Sequence, residues 1–366
     1  MASLEASETR WLVFCVSERP EENAGLWGWC SSTFFAERDR LTFLYCRTET
    51  EVITVSATAL QVSLRARCHV QGGSHFSVSR LTHLRVLQSK MFVLRTTMDA
   101  VPHWMPPAIT AALEERKTAF KVLEFIQLSS DLGAGDAIAA WLADIGGQRG
   151  RPTLLLMSSR GHTGLRKFLS GTVSGYVTEQ AQTPCLIVRS TLASRVLAPD
   201  VAGQQRGGRV IGIAIDGSNA GRALVAWCRT YVLRSSDRVT VLHGRRTGQK
   251  TDDELAAIDN AISALEIVIA AVQSLGGDLT APPVTELLAE SDDVRDAIYD
   301  WVDTHTPDLL VVGSRGLTGA LRRMALGSVS SYCITHAQCP IIVVSAAVLA
   351  DLASEWVDKS HRTTND

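Results

Sequence analysis

The chain lacks the spacings that would tie its cysteines to a metal or a disulfide framework: none of the eight forms a C-x2-C pair, and none alternates with histidine at zinc-site intervals. Free, mostly buried thiols are expected instead. Cys333 and Cys339 fall near a domain edge, but nothing in the surrounding sequence favours a thiolate there. No apolar run reaches the roughly 18 residues that suggest a membrane span, and the longest candidate, Leu255 to Leu275, is broken by Asp259, Asn260 and Glu266. The N-terminal stretch MASLEASETR is acidic and has no hydrophobic centre, so it does not read as a signal peptide. A cytoplasmic protein without membrane partners is expected. The net charge of -2 argues against a general nucleic-acid binder. Also missing are a G-x4-G-K-[ST] loop and any Ser, His and Asp set, which argues against a motor-type NTPase and an acyl-transfer triad.

What is present is an ordinary globular composition, 46% hydrophobic and 20% charged, over 366 residues. That length exceeds one typical core and suggests two domains. The most informative stretch is Asp308 to Val344, DLLVVGSRGLTGALRRMALGSVSSYCITHAQCPIIVV. Its first apolar run is too short for a helix and ends in Gly313, which reads as a buried parallel strand entering a glycine turn. Gly327 and Ser328 then open a helix, and a β-branched strand, Ile341 to Val344, follows Pro340. Strand, glycine turn and helix N-terminus together make an anion cradle, because unpaired backbone N–H groups and the positive end of the helix dipole converge. Residues 154–188, LLLMSSRGHTGLRKFLSGTVSGYVTEQAQTPCLIV, repeat the pattern. Upstream, Glu18 to Cys46 aligns without gaps to Asp216 to Gly244, matching Trp29 with Trp227, Cys30 with Cys228 and Asp39 with Asp237. Repetition on this scale indicates two copies of one domain.

These residues resemble the universal stress proteins. Nucleotide-binding members of that family carry G-x2-G-x9-G-[ST] after the fourth strand and an Asp at the end of the first. The resemblance covers roughly residues 10–46 with 107–190, and 208–345. It implies two tandem Rossmann-like α/β domains of the adenine nucleotide alpha hydrolase type, each an open five-stranded, mostly parallel sheet with helices on both faces. It also implies an adenine nucleotide as ligand, ATP with Mg²⁺ optional, and a stress-response or signalling role. By position the nucleotide site of the second copy comprises Asp216, Gly217, Gly244, Gly313, Ser314, Arg315, Gly316, Gly327, Ser328 and Val329. Asp216 would contact the nucleoside and Gly244 the adenine through its backbone. Ten residues separate Gly316 from Gly327 where the family has nine, and Ala320 is the candidate insertion. On position alone Asp216 also fits a helix N-cap, Arg315 with Arg322 and Arg323 also fits solvated surface charge, and His243 reads as a satisfied core histidine.

The first copy departs further. Glu18-Arg19-Pro20 replaces Asp216-Gly217-Ser218, and Ser158 stands at the first motif glycine, while Gly161, Gly171 and Thr172 remain. It reads as a degenerate second site kept for its fold. The expected organisation is a first domain over 8–192 with an insertion over about 47–105, a linker over 193–208, a second domain over 209–346 and a tail over 347–366. The insertion reads as a surface segment without regular structure, with an appended functional element or a translated intron as alternatives. Thr48 to Val62 could form a strand, Pro107 to Lys121 and Asp252 to Ser274 are expected helices, and the tail a short helix with a frayed end. In the family the last strands pair between protomers. Here Cys185 to Val188 and Ile341 to Val344 could pair within one chain, covering two sheet edges at once, and further homo-oligomers stay open. No residue set stands out as catalytic, and nothing beyond Asp216 suggests hydrolysis, so a slow Mg²⁺-dependent ATP hydrolase and a scaffold that binds no nucleotide are the alternatives to a binding module.

Overall fold

The computed structural model describes residues 9–37, 39–48, 81–87, 91–96, 101–114, 121–130, 133–159, 173–190, 208–216, 218–234, 236–244, 284–288, 292–314 and 326–363. The first half contains β1 (Trp11–Val16), α1 (Pro20–Trp29), a π-helical turn (Cys30–Phe34), β2 (Arg40–Thr48), β3 (Leu81–Leu87), β4 (Met91–Thr96) and α2 (Pro107–Glu114). It continues with β5 (Lys121–Ser130), α3 (Ala134–Gln148), β6 (Leu154–Ser159), α4 (Val173–Gln180) and β7 (Cys185–Arg189). The second half contains β8 (Val210–Ile215), α5 (Asn219–Tyr231), β9 (Arg238–His243), β10 (Val284–Leu287) and α6 (Val294–His305). It closes with β11 (Leu309–Gly313), α7 (Ser328–His336), β12 (Ile341–Val344) and α8 (Ala346–Thr363).

All twelve strands form one sheet in the order β10-β9-β8-β11-β12-β7-β6-β1-β2-β5-β4-β3. Pairing is parallel within each half from β7 to β5 and from β10 to β12. Runs such as Leu309-Leu310-Val311-Val312 and Ile341 to Val344 are buried on both sides of the sheet, so they read as unbroken apolar segments rather than alternating ones. One hydrophobic layer joins that sheet to α1, α2, α5 and α8, and the other joins it to α3, α4, α6 and α7. The architecture is a three-layer α/β/α sandwich.

At the centre β7 and β12 run antiparallel, with Ile341 opposite Ile187, Ile342 opposite Leu186 and Val343 opposite Cys185. Buried ion pairs repeat across the seam. Arg10 binds Asp39 and donates to the Tyr231 carbonyl oxygen, while Arg209 binds Asp237 and donates to the Thr33 carbonyl oxygen. Arg234 adds bonds to the carbonyl oxygens of Phe34 and Phe35 at the end of the π-helical turn, and burial lowers its pKa with Arg209 adding to the effect. Each half thus satisfies the helix-end carbonyls of the other with guanidinium donors.

Four expectations are corrected. The first half carries seven strands rather than five, because β3 and β4 of the expected unstructured insertion form an antiparallel hairpin that adds to β5. The physical reason is the edge of β5: an unpaired row of backbone donors and acceptors is satisfied by an extra strand. Lys121 opens β5 instead of closing a helix, and the helix described there ends at Glu114. The tail is no short helix; α8 runs for 18 residues, with Leu349, Leu352 and Ala353 packed onto the sheet layer. Asp216 is not the N-cap of α5, since Ser218 holds that place and its hydroxyl accepts from Gly221 N. The expected strand over 49–62, the helix from Asp252 to Ser274 and nearly all of the linker lie outside the described residues.

Candidate functional site

The carboxyl ends of β8, β9 and β11 meet the N-terminus of α7 around a cavity of about 550 Å³. This is the usual ligand crevice of an open α/β sheet, where helix N-termini and strand ends face the same space. Asp216, Gly244, Gly313, Ser314, Gly327, Ser328 and Val329 all line it. Gly217, Arg315 and Gly316 lie outside the described residues, as do Ala320 and, in the first half, Gly161, Gly171 and Thr172.

Ser314 organises one wall. Its backbone N–H donates to Val344 O, its carbonyl accepts from Gly327 N at 2.6 Å and from the Ser330 hydroxyl, and its own hydroxyl accepts from Ala346 N. The glycine turn, α7 and α8 are therefore tied to one residue. Gly327 is the N-cap of α7 and supplies no side-chain cap. Helix geometry leaves the first-turn N–H groups of Ser328, Val329 and Ser330 without intrahelical acceptors, and together with the dipole they present about half a positive charge to the cavity. At the other wall Asp216 is exposed, and its Oδ1 accepts from Ser218 N and from the Ser218 hydroxyl at 2.5 Å. The first turn of α7 and the Asp216 carboxylate thus line one crevice.

Two glycines set its width. A Cβ at Gly244 would stand 2.3 Å from Val294 Cγ1, and one at Gly221 would stand 3.1 Å from Ile215 Cβ. His243, beside Gly244, is buried; its Nδ1 lies 3.3 Å from Ile215 O and its Nε2 has no hydrogen-bond partner. The expectation of a satisfied core histidine is thus corrected for one ring nitrogen: the neighbouring strand offers one carbonyl, and the buried Nε2 has no hydrogen-bond partner.

The first half carries different side chains at the corresponding positions. Glu22 and Asn23 replace Ala220 and Gly221, Tyr45 replaces His243, and Cys46 replaces Gly244. The buried Glu22 carboxylate accepts from the Ser17 hydroxyl at 2.7 Å and from the Ser158 hydroxyl at 3.4 Å, and Asn23 bonds both the N–H and the carbonyl of Ser17. Tyr45 stacks on Trp104 at 5.2 Å. Glu18 stays at the exposed rim. Glu22, Asn23, Tyr45 and Leu349 escaped the sequence reading; reading the mismatches of the gap-free repeat, and not only its matches, would have found the first three.

The model of the universal stress protein family matches residues 148–189 and 208–345. The chain belongs to the universal stress protein family. It is similar to a universal stress protein A-like protein of Arabidopsis thaliana, 41% identical over 59 residues, which cover 16% of this chain and 33% of that relative. The chain spans between 30% and 64% of the length of the curated universal stress proteins it matches. A universal stress protein from Archaeoglobus fulgidus shares the fold with a TM-score of 0.51 at 14% identity, covering 93% of this chain and 97% of its own. An Arabidopsis thaliana universal stress protein family protein solved with AMP bound is 22% identical with a TM-score of 0.26 and covers 37% of this chain and 90% of its own. Among the described residues no helix is long and apolar enough to cross a membrane.

Proposed function

We propose that the second half, over 209–346, binds an adenine nucleotide, with ATP the favoured ligand, and that this universal stress protein works as a nucleotide-dependent stress-response or signalling module. The observation that carries the reading is a cavity lined both by the N-terminus of α7 and by Asp216 at the end of β8. The phosphates sit at Ser328, Val329 and Ser330, where unpaired N–H groups and the dipole favour an anion. The nucleoside lies over β8 and β9, with Asp216 accepting from a ribose or base donor.

Calorimetric titration of the full chain with Mg·ATP tests the reading. Micromolar binding, about -8 kcal/mol, that disappears in Gly327→Val supports it, because a Cβ with two methyl groups at the N-cap crowds the phosphate position. No binding in the parent chain, but binding after deletion of Ala320, would mean that the extra residue closes the cradle. No binding in any form overturns the nucleotide function and leaves a scaffold.

A further inference from the structure

We propose that Arg189 of the first half is a positioning residue for the anion site of the second: it holds the C-terminal carbonyls of α7, the helix whose N-terminus takes the phosphates. The inference rests on the nucleotide reading of that cavity. Its starting point is an asymmetry at the seam. Arg10 and Arg209 answer each other, each donating to a carbonyl oxygen of the opposite half. Arg189 has no such counterpart. Counted from Pro184 and Pro340, which precede β7 and β12, the matching residue of the second half is Ser345, and its hydroxyl accepts from Val348 N at the start of α8.

The antiparallel seam brings Arg189 to its partners. Ile187 lies opposite Ile341, so the residue two places beyond Ile187 comes alongside the segment between α7 and β12. There Arg189 Nη2 donates to Ile334 O at 3.1 Å and to Thr335 O. The last carbonyls of an α-helix have no intrahelical partner. In α7 the Cys333 carbonyl accepts from Ala337 N, and Arg189 serves the next two. Burial lowers the Arg189 pKa, and a guanidinium stays charged even so.

α7 is therefore tied at both ends. Its first turn is held by its own half, through Gly327 N and the Ser330 hydroxyl on Ser314 O, and its last turn by the other half. A cation at a helix C-terminus offsets the negative end of the dipole, which leaves the positive end at Ser328 and Val329 less opposed. The two ends are about 13 Å apart, so the guanidinium also adds attraction for an anion at the N-terminus. This support falls on the helix that lines the cavity, whereas the place facing the first half, with its altered glycine motif, is held by a serine.

The test measures Mg·ATP by calorimetry, and adenosine by competition against it, on the full chain and on Arg189→Met and Arg189→Lys. Arg189→Met is expected to weaken Mg·ATP about tenfold while leaving adenosine, which has no phosphate, within about twofold of the parent. Arg189→Lys keeps a cation and donors and should bind Mg·ATP within about threefold of the parent. Thermal melting shows that each variant is folded, and if Arg189→Met is not, Arg189→Gln carries the same comparison. Unchanged Mg·ATP affinity in the folded neutral variant overturns the assignment and leaves the nucleotide reading intact. Equal weakening of Mg·ATP and adenosine overturns it in favour of a general packing role. No binding of Mg·ATP by the parent overturns the nucleotide reading and this inference with it.

Discussion

The first and second halves hold the same frame by the same contacts and differ where the strands end. Trp29 and Trp227, Cys30 and Cys228, and the ion pairs Arg10–Asp39 and Arg209–Asp237 occupy matching buried positions. At the crevice several described differences run in one direction: Ala220, Gly221, Gly244 and Gly313 on one side face Glu22, Asn23, Cys46 and Ser158 on the other. Volume and a buried carboxylate are added there without disturbing the sheet beneath. The lesson is that a fold of this kind keeps its packing and its ligand crevice on separate sets of residues, so one can be lost while the other persists.

Alkaline pH probes what the halves share, and it carries the largest expected effect. Burial raises the thiols of Cys185 and Cys333 from 9.0 to about 12, and also raises those of Cys30, Cys228 and Cys339. In the unfolded chain thiols titrate near their ordinary value, so above about pH 9 the unfolded state binds fewer protons and stability falls as pH rises. Each thiol contributes roughly 1.4 kcal/mol per pH unit in that window, and the stabilisation is fully present below it. Urea midpoints followed by circular dichroism from pH 8 to 11 should drop steeply and in one transition. A flat profile would show that the two cores do not depend on neutral thiols.

Breaking either buried pair comes next. Asp39→Ala and Asp237→Ala each leave a guanidinium without its carboxylate and should lower stability by about 3 to 5 kcal/mol. Similar losses in denaturant titrations would show that the two pairs are equivalent; a large difference would show that one half dominates the seam. Importing the first half's side chain into the second, Ala220→Glu, should weaken ATP binding by about 100-fold through volume and repulsion and should also lower the melting temperature, because Ala220 is buried and Gly313 offers no hydroxyl where Ser158 serves Glu22. Undiminished binding in calorimetry would remove Glu22 as the reason the halves differ. The smallest effect concerns the helices after β8 and β1. Ser218→Ala removes the cap of α5 and should cost about 1 kcal/mol, whereas Arg19→Ala, at an N-cap without a side-chain bond, should fall within about 0.5 kcal/mol.

Much of the frame is legible in the sequence because parallel strands buried on both faces leave short apolar runs, as in Leu309 to Val312 and Leu154 to Met157. Asp216 and the glycines are legible by their place after such runs. The hairpin of β3 and β4 is not, since His83, Arg85 and Arg95 interrupt its apolar pattern and its partner β5 lies beyond α2. The role of Asp39 and Asp237 is legible only as a repeated letter. The arginines that hold them reach carbonyls of the opposite half, such as Tyr231 from Arg10, and pairings that distant leave no local signal. His243 is visible as a strand end, but the state of its ring depends on the Ile215 carbonyl of the adjoining strand. Glu22 reads as first-turn helix acidity until its hydroxyl partners on Ser17 and Ser158 are known.

The antiparallel seam of β7 and β12 has a further consequence for how such a chain diversifies. Two separate copies meeting at a twofold axis must carry any substitution twice, so a change that spoils one crevice spoils both. Joined end to end, the partners meet at a high effective concentration whatever their affinity, and they no longer have to be identical. A glutamate can settle into one crevice and a histidine stay in the other, and the covalent link turns a symmetric pair into a division of labour.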